Sequence, residues 1–116
     1  MAKFRQGKFR NYGPVKITGI IKAIQQGQVQ ITDHADEEAE DDDLGFEEIF
    51  FATCGGEIIE TYPTEKPYPR CLIFGEDPSG KAVHSVWTYD QKTGIAVLIT
   101  VYRPDPRRWI DWRIRR

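Results

Sequence analysis

The chain has 116 residues, 40% of them hydrophobic and 29% charged, and it contains three Trp, five Tyr and six Phe. This composition excludes an intrinsically disordered protein and predicts one folded domain, because the chain is long enough to bury a single core. The net charge of −2 is not that of a typical nucleic-acid-binding protein.

The N-terminal residues and the cysteines predict the cellular compartment. Four basic residues lie between Met1 and Asn11, but no apolar run follows that could form a signal-peptide core or cross a bilayer. Cys54 and Cys71 have no partner pair, so neither a zinc ribbon nor a disulfide framework is indicated. We therefore expect a cytoplasmic protein with reduced cysteines, no membrane association and no cofactor.

The charges are unevenly distributed along the chain. Residues 1–22 carry a net charge of +6, residues 23–102 carry −12 and residues 103–116 carry +4. Basic flanks of this kind suit contacts with phosphate, since Lys and Arg release counterions when they neutralise it. They are equally compatible with solvated tails, and charge alone does not decide between the two interpretations.

Three helices are predicted in the first half of the chain. Apolar residues recur near helical spacing from Val15 to Gln26, and a glycine follows. Thr32 or Asp33 can cap a second helix by accepting the free N–H groups of its first turn. The acidic run of that helix, Asp36–Asp43, holds seven carboxylates in eight residues and must face solvent because like charges repel. Gly45 opens a third helix, with two Glu residues at its positive N-terminal end.

The hydrophobic period changes to two after the third helix. Four segments rich in β-branched and aromatic residues follow, namely Glu57–Tyr62, Arg70–Glu76, Ala82–Tyr89 and Gly94–Arg103. Turn residues between them suit hairpin loops, so the strands should pair in chain order. We therefore predict an α+β fold in which N-terminal helices pack on one face of a four-stranded antiparallel meander sheet.

This pattern predicts one domain over residues 1–116. Its parts are a basic N-terminal arm (1–14), a helical half (15–55), an antiparallel sheet (56–103) and a C-terminal cap around Trp109 (104–116).

Alternation along the last strand separates two sets of side chains. Val97, Ile99 and Val101 point to one side and are expected to form the face covered by helices. Thr100 and Tyr102 point to the other, partly open side, where a hydroxyl and a phenol can reach a ligand. His84 on the preceding strand joins them only if the strand register permits it.

His34 and His84 are the only histidines in the chain. His34 lies in the first turn of the predicted second helix, where the helix dipole favours the neutral imidazole that a general base needs. Either histidine can instead be a packed or capping residue. No spacing of ligands typical of a metal site occurs, and neither cysteine has the electropositive setting of an activated nucleophile.

Short motifs over about residues 29–116 resemble those of a known family. They are, in chain order, Thr32-Asp33-His34-Ala35, Gly56-Glu57-Ile58-Ile59-Glu60-x-Tyr62-Pro63, Pro67-Tyr68-Pro69-x-Cys71-Leu72-Ile73-x-Gly75, His84-x-Val86, and Leu98-Ile99-Thr100-Val101-Tyr102-Arg103-Pro104-Asp105-Pro106 with Trp109. Together they resemble domain-of-unknown-function family 4258. The resemblance implies a relation to the RelE-like and MqsR-like ribonuclease toxins, several of which are encoded beside a small antitoxin, and hence a RelE-like or barnase-like fold.

The resemblance further implies a metal-independent endoribonuclease that cleaves single-stranded RNA by attack of the ribose 2′-hydroxyl on the adjacent phosphate. Such chemistry needs a base, an acid for the leaving 5′-oxygen and a cation for the developing charge. The candidates are His34, His84, Thr100 and Tyr102 as catalytic residues, with Arg103 and Arg115 as RNA-binding residues. Either histidine would act as base or acid, the tyrosine as proton donor or phosphate ligand, the threonine as a positioning hydroxyl and one arginine as the cation.

The resemblance leaves a second function open. A non-catalytic domain on the same fold could bind a protein or RNA without cutting it. The acidic run Asp36–Asp43 would repel RNA near the site and could face a basic partner instead. The partners expected from the resemblance are single-stranded RNA and a small antitoxin protein.

Overall fold

Three helices form the first half of the described chain, as the sequence predicts. The computed structural model describes residues 15–116, so the predicted basic arm, residues 1–14, lies outside the described residues. The helices are α1 (Ile17–Gln25), α2 (Asp33–Asp41) and α3 (Phe46–Cys54). Thr32 caps α2, because its Oγ1 accepts the Ala35 N–H at 3.1 Å. Within residues 15–116, no helix has the length and apolar character needed to cross a bilayer.

The strands follow the predicted positions in the second half, with three short additions. They are β1 (Val29–Ile31), β2 (Glu57–Tyr62), β3 (Arg70–Glu76), β4 (Ala82–Asp90), β5 (Ile95–Tyr102), β6 (Trp109–Ile110) and β7 (Ile114–Arg115). Five of them form one sheet in the order β1-β5-β4-β3-β2, while β6 and β7 form a separate hairpin.

The sheet is mixed rather than purely antiparallel. Strands β2 to β5 pair antiparallel in chain order, but β1 adds a fifth strand that runs parallel to β5, with Val29 opposite Ala96. The prediction of a four-stranded antiparallel meander is therefore wrong in both strand number and strand direction. Three residues are too few for alternation to reveal a strand, and the partner of β1 is distant in sequence.

Helix α2 closes the rest of the β5 edge. Beyond the segment paired with β1, Glu38 Oε1 accepts the Val101 N–H at 3.2 Å and Asp42 Oδ2 accepts the Arg103 N–H at 2.8 Å. These carboxylates satisfy backbone donors that would otherwise need another strand or water. Part of the acidic run therefore has a structural role.

All three helices pack on the same side of the sheet, which we call the helix face. Its buried apolar strand residues are Cys71, Ile73, Val83, Trp87, Ala96, Leu98 and Val101. The packing is closest at Gly75, where a Cβ would lie 1.9 Å from the Ala52 carbonyl oxygen of α3. Helix α3 thus rests directly on the β3 backbone, and this approach requires glycine.

A β-bulge interrupts β5. Val86 of β4 pairs with Thr100, whereas the next residue, Trp87, pairs with Leu98, so Ile99 is an extra residue in β5. A bulge of this kind shifts the alternation of side chains by one position.

The bulge changes the two faces of β5. Ala96, Leu98 and Val101 are all 0% exposed and belong to the helix face. The predicted core set of Val97, Ile99 and Val101 is therefore wrong for Val97 and Ile99, which are only partly buried. Strict alternation, the basis of that prediction, does not hold across a bulge.

Residues 104–116 cover part of the opposite side of the sheet, which we call the second face. Trp109 of β6 is 4% exposed and lies in the segment predicted to form a C-terminal cap. The hairpin turns through Asp111 and Trp112, with φ angles of 53° and 62°, and the Arg113 N–H donates to the Ile110 carbonyl oxygen at 3.0 Å. These features define a type I′ turn, the tight turn that suits the twist of a hairpin.

Candidate active site on the second face

His84 lies at the centre of the second face. Its side chain is 0% exposed, and it stands opposite Phe74 on β3 and Tyr102 on β5. The Trp109 ring is perpendicular to the imidazole, with 4.5 Å between ring centroids. The strand register therefore joins His84 to Tyr102, which the sequence alone could not decide.

Both ring nitrogens of His84 have hydrogen-bond partners. Nε2 lies 2.7 Å from the Trp112 carbonyl oxygen, which can only accept, so Nε2 carries the hydrogen. Nδ1 lies 3.2 Å from Tyr102 Oη. In the neutral ring Nδ1 is an acceptor, so the Tyr102 hydroxyl donates to it. The hydrogen bonds run from Tyr102 through His84 to Trp112.

The electrostatic environment favours this arrangement of protons. Burial lowers the pKa of His84, although the backbone carbonyl of Trp112 and the Glu60 carboxylate act in the opposite sense. Burial also raises the pKa of Tyr102 to about 12. Near neutral pH the imidazole is therefore a neutral acceptor and the phenol a donor.

A second set of hydrogen-bonded side chains lies beside His84 and Tyr102. Arg115 Nε donates to Glu60 Oε2 at 2.9 Å, and the Tyr62 hydroxyl donates to Glu60 Oε1. Burial of Glu60 would raise its pKa, but these two hydrogen bonds outweigh it and lower the pKa. The Arg115 guanidinium stacks 4.7 Å from the Trp109 ring centroid, so Trp109 contacts both His84 and Arg115.

Thr100 lies on the same face in the next row of residues. It pairs with Val86 of β4, beside the pair formed by His84 and Tyr102. Its side chain is partly exposed, as is that of Tyr102. The second face therefore brings together four of the six predicted residues, namely His84, Thr100, Tyr102 and Arg115.

The fold leaves His34 in a different setting. It lies in the first turn of α2 with 67% of its side chain exposed, and its Nε2 is 3.3 Å from Glu38 Oε1. None of the hydrogen bonds or ion pairs found for His34 within residues 15–116 reaches His84 or Tyr102.

Arg103 is also directed away from the pair. Its guanidinium donates to Asp77 Oδ2 at 2.8 Å and to the Ala82 carbonyl oxygen at 3.2 Å. The Asp77 side chain is 2% exposed, and its carboxylate also accepts the Ser79 and Lys81 N–H groups of the β3–β4 loop. Arg103 therefore anchors that loop to the end of β5.

Sequence reasoning missed Glu60, Tyr62 and Trp112 as site residues. Glu60 and Tyr62 are two positions apart on β2, so alternation places them on one face, but only the fold shows that this is the face of His84. Trp112 acts through its backbone carbonyl, for which no side-chain pattern is diagnostic.

The remaining reactive side chains offer little chemistry. Burial raises the pKa of Cys71 to about 12 and also raises that of Cys54, so both thiols stay protonated near neutral pH. Among residues 15–116, no three His, Cys, Asp or Glu side chains are grouped to hold a metal ion.

The fold and the site define a small α+β protein that collects a histidine, two tyrosines, a glutamate and an arginine on one sheet face. The model of the family described as "Domain of unknown function (DUF4258)" matches residues 31–103. The chain belongs to this family, as its motifs predict. The matched segment includes His84 and Tyr102 but ends before Arg115. No curated protein and no solved structure gives a significant match.

Proposed function

We propose that this protein is a toxin-like, metal-independent endoribonuclease that cleaves single-stranded RNA in the cytoplasm. The observation that supports it best is the hydrogen bond between Tyr102 Oη and His84 Nδ1. It couples a partly exposed phenol to a buried base. A ligand can touch the phenol, while the imidazole is shielded from solvent.

The pair would remove a proton from the ribose in two linked transfers. The 2′-hydroxyl gives its proton to Tyr102 Oη as the phenolic proton of Tyr102 moves to His84 Nδ1. The 2′-oxygen then bonds to phosphorus, and the bond to the 5′-oxygen breaks with a proton taken from solvent. The products are a 2′,3′-cyclic phosphate and a free 5′-hydroxyl, and His84 returns its proton to solvent through Tyr102.

The polar neighbours would support this reaction. Arg115 is the cation best placed for the phosphate, because it contacts the same Trp109 ring as His84. The ionised Glu60 carboxylate favours the imidazolium that forms on His84. Thr100, in the row beside Tyr102, would position the substrate.

Cleavage of single-stranded RNA by the purified full chain tests the proposal. We expect a 2′,3′-cyclic phosphate product without added metal, and a loss of at least about 100-fold in rate for Tyr102→Phe. Tyr89→Phe is the matched control, since Tyr89 packs against the helix-face core and should keep full activity. Absence of the cyclic product, or equal rates for the two variants, would overturn the catalytic role.

A non-catalytic domain that binds a protein or RNA is the second candidate. It is favoured by the ion pair between Arg115 and Glu60, because the guanidinium proposed to bind phosphate already has a carboxylate partner. It is also favoured by the negative charge of α2 near Tyr102. Burial is the largest cause of the raised pKa of Tyr102, and the Glu38 carboxylate of α2 adds to it. RNA binding without cleavage would support this candidate over the first.

A small antitoxin is the partner that we propose with the toxin-like function. Such a protein would be encoded beside this one and would co-purify with it. Co-expression with the neighbouring small gene, followed by size-exclusion chromatography, tests this. We expect a complex in which RNA cleavage is inhibited.

A further inference from the structure

A cleft of about 1150 Å³ lies where α3 meets the end of β3 and the loop to β4. Phe51 and Cys54 of α3 form one wall, and Arg113 of the C-terminal hairpin contributes to another. The volume exceeds the usual range for a small-ligand pocket. It is large enough for several side chains of a bound chain segment.

Aromatic surface is exposed along the α3 side of the cleft. Phe51 is 57% exposed and Phe46 is 36% exposed. Phe46 stacks on Phe50, with 6.4 Å between ring centroids, and Phe50 lines the cleft together with Phe51. Exposed rings beside a concave surface are typical of protein interaction sites. Burial raises the pKa of the Cys54 thiol, which keeps this wall uncharged.

The rim of the cleft is acidic. Four carboxylates and one guanidinium line it, from Glu47, Glu57, Glu76, Asp77 and Arg113. Glu57 pairs with Arg113, and Asp77 is paired with a guanidinium outside the cleft. Glu47 and Glu76 are exposed, and within residues 15–116 neither forms an ion pair. Two acidic side chains of the cleft therefore remain available to pair with cations.

We propose that this cleft binds a segment of a partner protein in which an apolar side chain is flanked by Lys or Arg. The apolar side chain packs on Phe51 and Cys54, where it buries aromatic surface that is now exposed. The flanking cations pair with Glu47 and Glu76. Charge complementarity of this kind selects the partner and speeds its association.

Peptide binding at the cleft requires no ribonuclease activity. The cleft and the site on the second face approach each other at Phe74, which lines the cleft and lies 6.1 Å from the His84 ring by centroids. None of the residues that carry the inference belongs to the hydrogen-bonded pair of His84 and Tyr102. Binding at the cleft can therefore be measured whether or not RNA is cut.

Binding of a labelled peptide to the full chain tests the inference. The probe is a fluorescein-labelled peptide of about twelve residues, in which two Lys and two Arg flank a Leu and a Phe. The matched probe carries Glu at the four basic positions. We expect binding of the basic probe in fluorescence anisotropy and at least about tenfold weaker binding of the acidic one. Equal affinity for the two probes would overturn the inference.

Variants of the chain locate the binding surface. Glu47→Lys combined with Glu76→Lys should weaken binding of the basic probe about tenfold or more, and Phe51→Ser should do the same. The control is Glu37→Lys combined with Glu40→Lys, an equal charge change on the exposed surface of α2, which should change affinity less than about twofold. Similar losses for cleft and control variants would contradict the assignment. Circular dichroism checks that each variant is folded.

The chain itself contains a segment of similar chemistry, in which apolar side chains are flanked by Lys and Arg. Lys3, Arg5, Lys8 and Arg10 precede the described residues, together with Phe4 and Phe9. Replacing these four basic residues by Gln in the full chain should leave the affinity for the basic probe unchanged. A gain of tenfold or more would show that residues 1–14 fill the cleft, and would overturn the proposal of a partner.

Discussion

The two faces of the sheet are built from different kinds of residue. The helix face is mainly apolar, and its buried residues pack against residues of all three helices. The second face carries a histidine, aromatic rings and ionised side chains, and the C-terminal segment covers part of it. Burial on the helix face stabilises the fold, whereas burial on the second face sets the protonation of His84 and Tyr102. The helix face thus holds the apolar core, and the second face holds the candidate site.

The largest expected effect comes from comparing one tryptophan on each face. Trp87 is 0% exposed in the helix-face core, so Trp87→Ala should destabilise the protein by about 3–5 kcal/mol. Trp109→Ala should cost less, because Trp109 belongs to a two-stranded hairpin outside the main core. Urea unfolding monitored by circular dichroism measures both. An equal or larger loss of unfolding free energy for Trp109→Ala would contradict the proposed difference between the two faces.

The pH dependence of stability sharpens the comparison at His84. The pKa of His84 is lower in the folded protein than the ordinary value of 6.5. Between these two values the unfolded chain binds a proton that the folded protein does not, so stability rises with pH in this window. The contribution of neutral His84 to stability is complete above about pH 6.5. It is lost as pH falls through the folded pKa, by up to about 1.4 kcal/mol per pH unit.

The variant His84→Leu serves as the control for this dependence. It should unfold with a shallower pH profile between pH 5 and 7, because the buried titrating group is gone. Urea midpoints at several pH values provide the measurement. Identical profiles for the two proteins would show that His84 is not the group responsible.

The smallest effect is expected where α2 meets the edge of β5. Glu38→Ala removes the acceptor of the Val101 N–H and should cost about 0.5–1 kcal/mol, since water can partly replace the carboxylate. Glu37→Ala, on the exposed side of the same helix, should be nearly neutral. Thermal unfolding of both variants compares them. A neutral Glu38→Ala would mean that the carboxylate does not stabilise the strand edge.

The helices and the four longer strands could be predicted because each has its own local signal. Thr32 and the glycines mark helix ends, and turn residues separate the strands. β1 was missed because its pairing is made entirely by a distant strand. The bulge at Ile99 has no local signal, since it depends on how β5 fits against β4.

The candidate site was predictable only in part. Thr100 and Tyr102 were placed on the correct face although the core face was misassigned, because the bulge precedes them and Val101 stays on the helix side. The partners of His84 depend on strand register and on a backbone carbonyl. Neither is encoded in the spacing of residues along one strand. The positions of Glu60 and Trp112 near His84 could therefore be found only from the three-dimensional structure.

The carboxylates that α2 lays along β5 also determine how the protein can associate with other chains. An added strand could not pair with the backbone N–H groups of Val101 or Arg103 without first displacing Glu38 or Asp42. The opposite edge of the sheet is β2, a six-residue strand that pairs with β3 and, among residues 15–116, with no second strand. We therefore expect β-sheet growth, in a complex or in an aggregate, to begin at β2 rather than at the end of β5 that α2 covers.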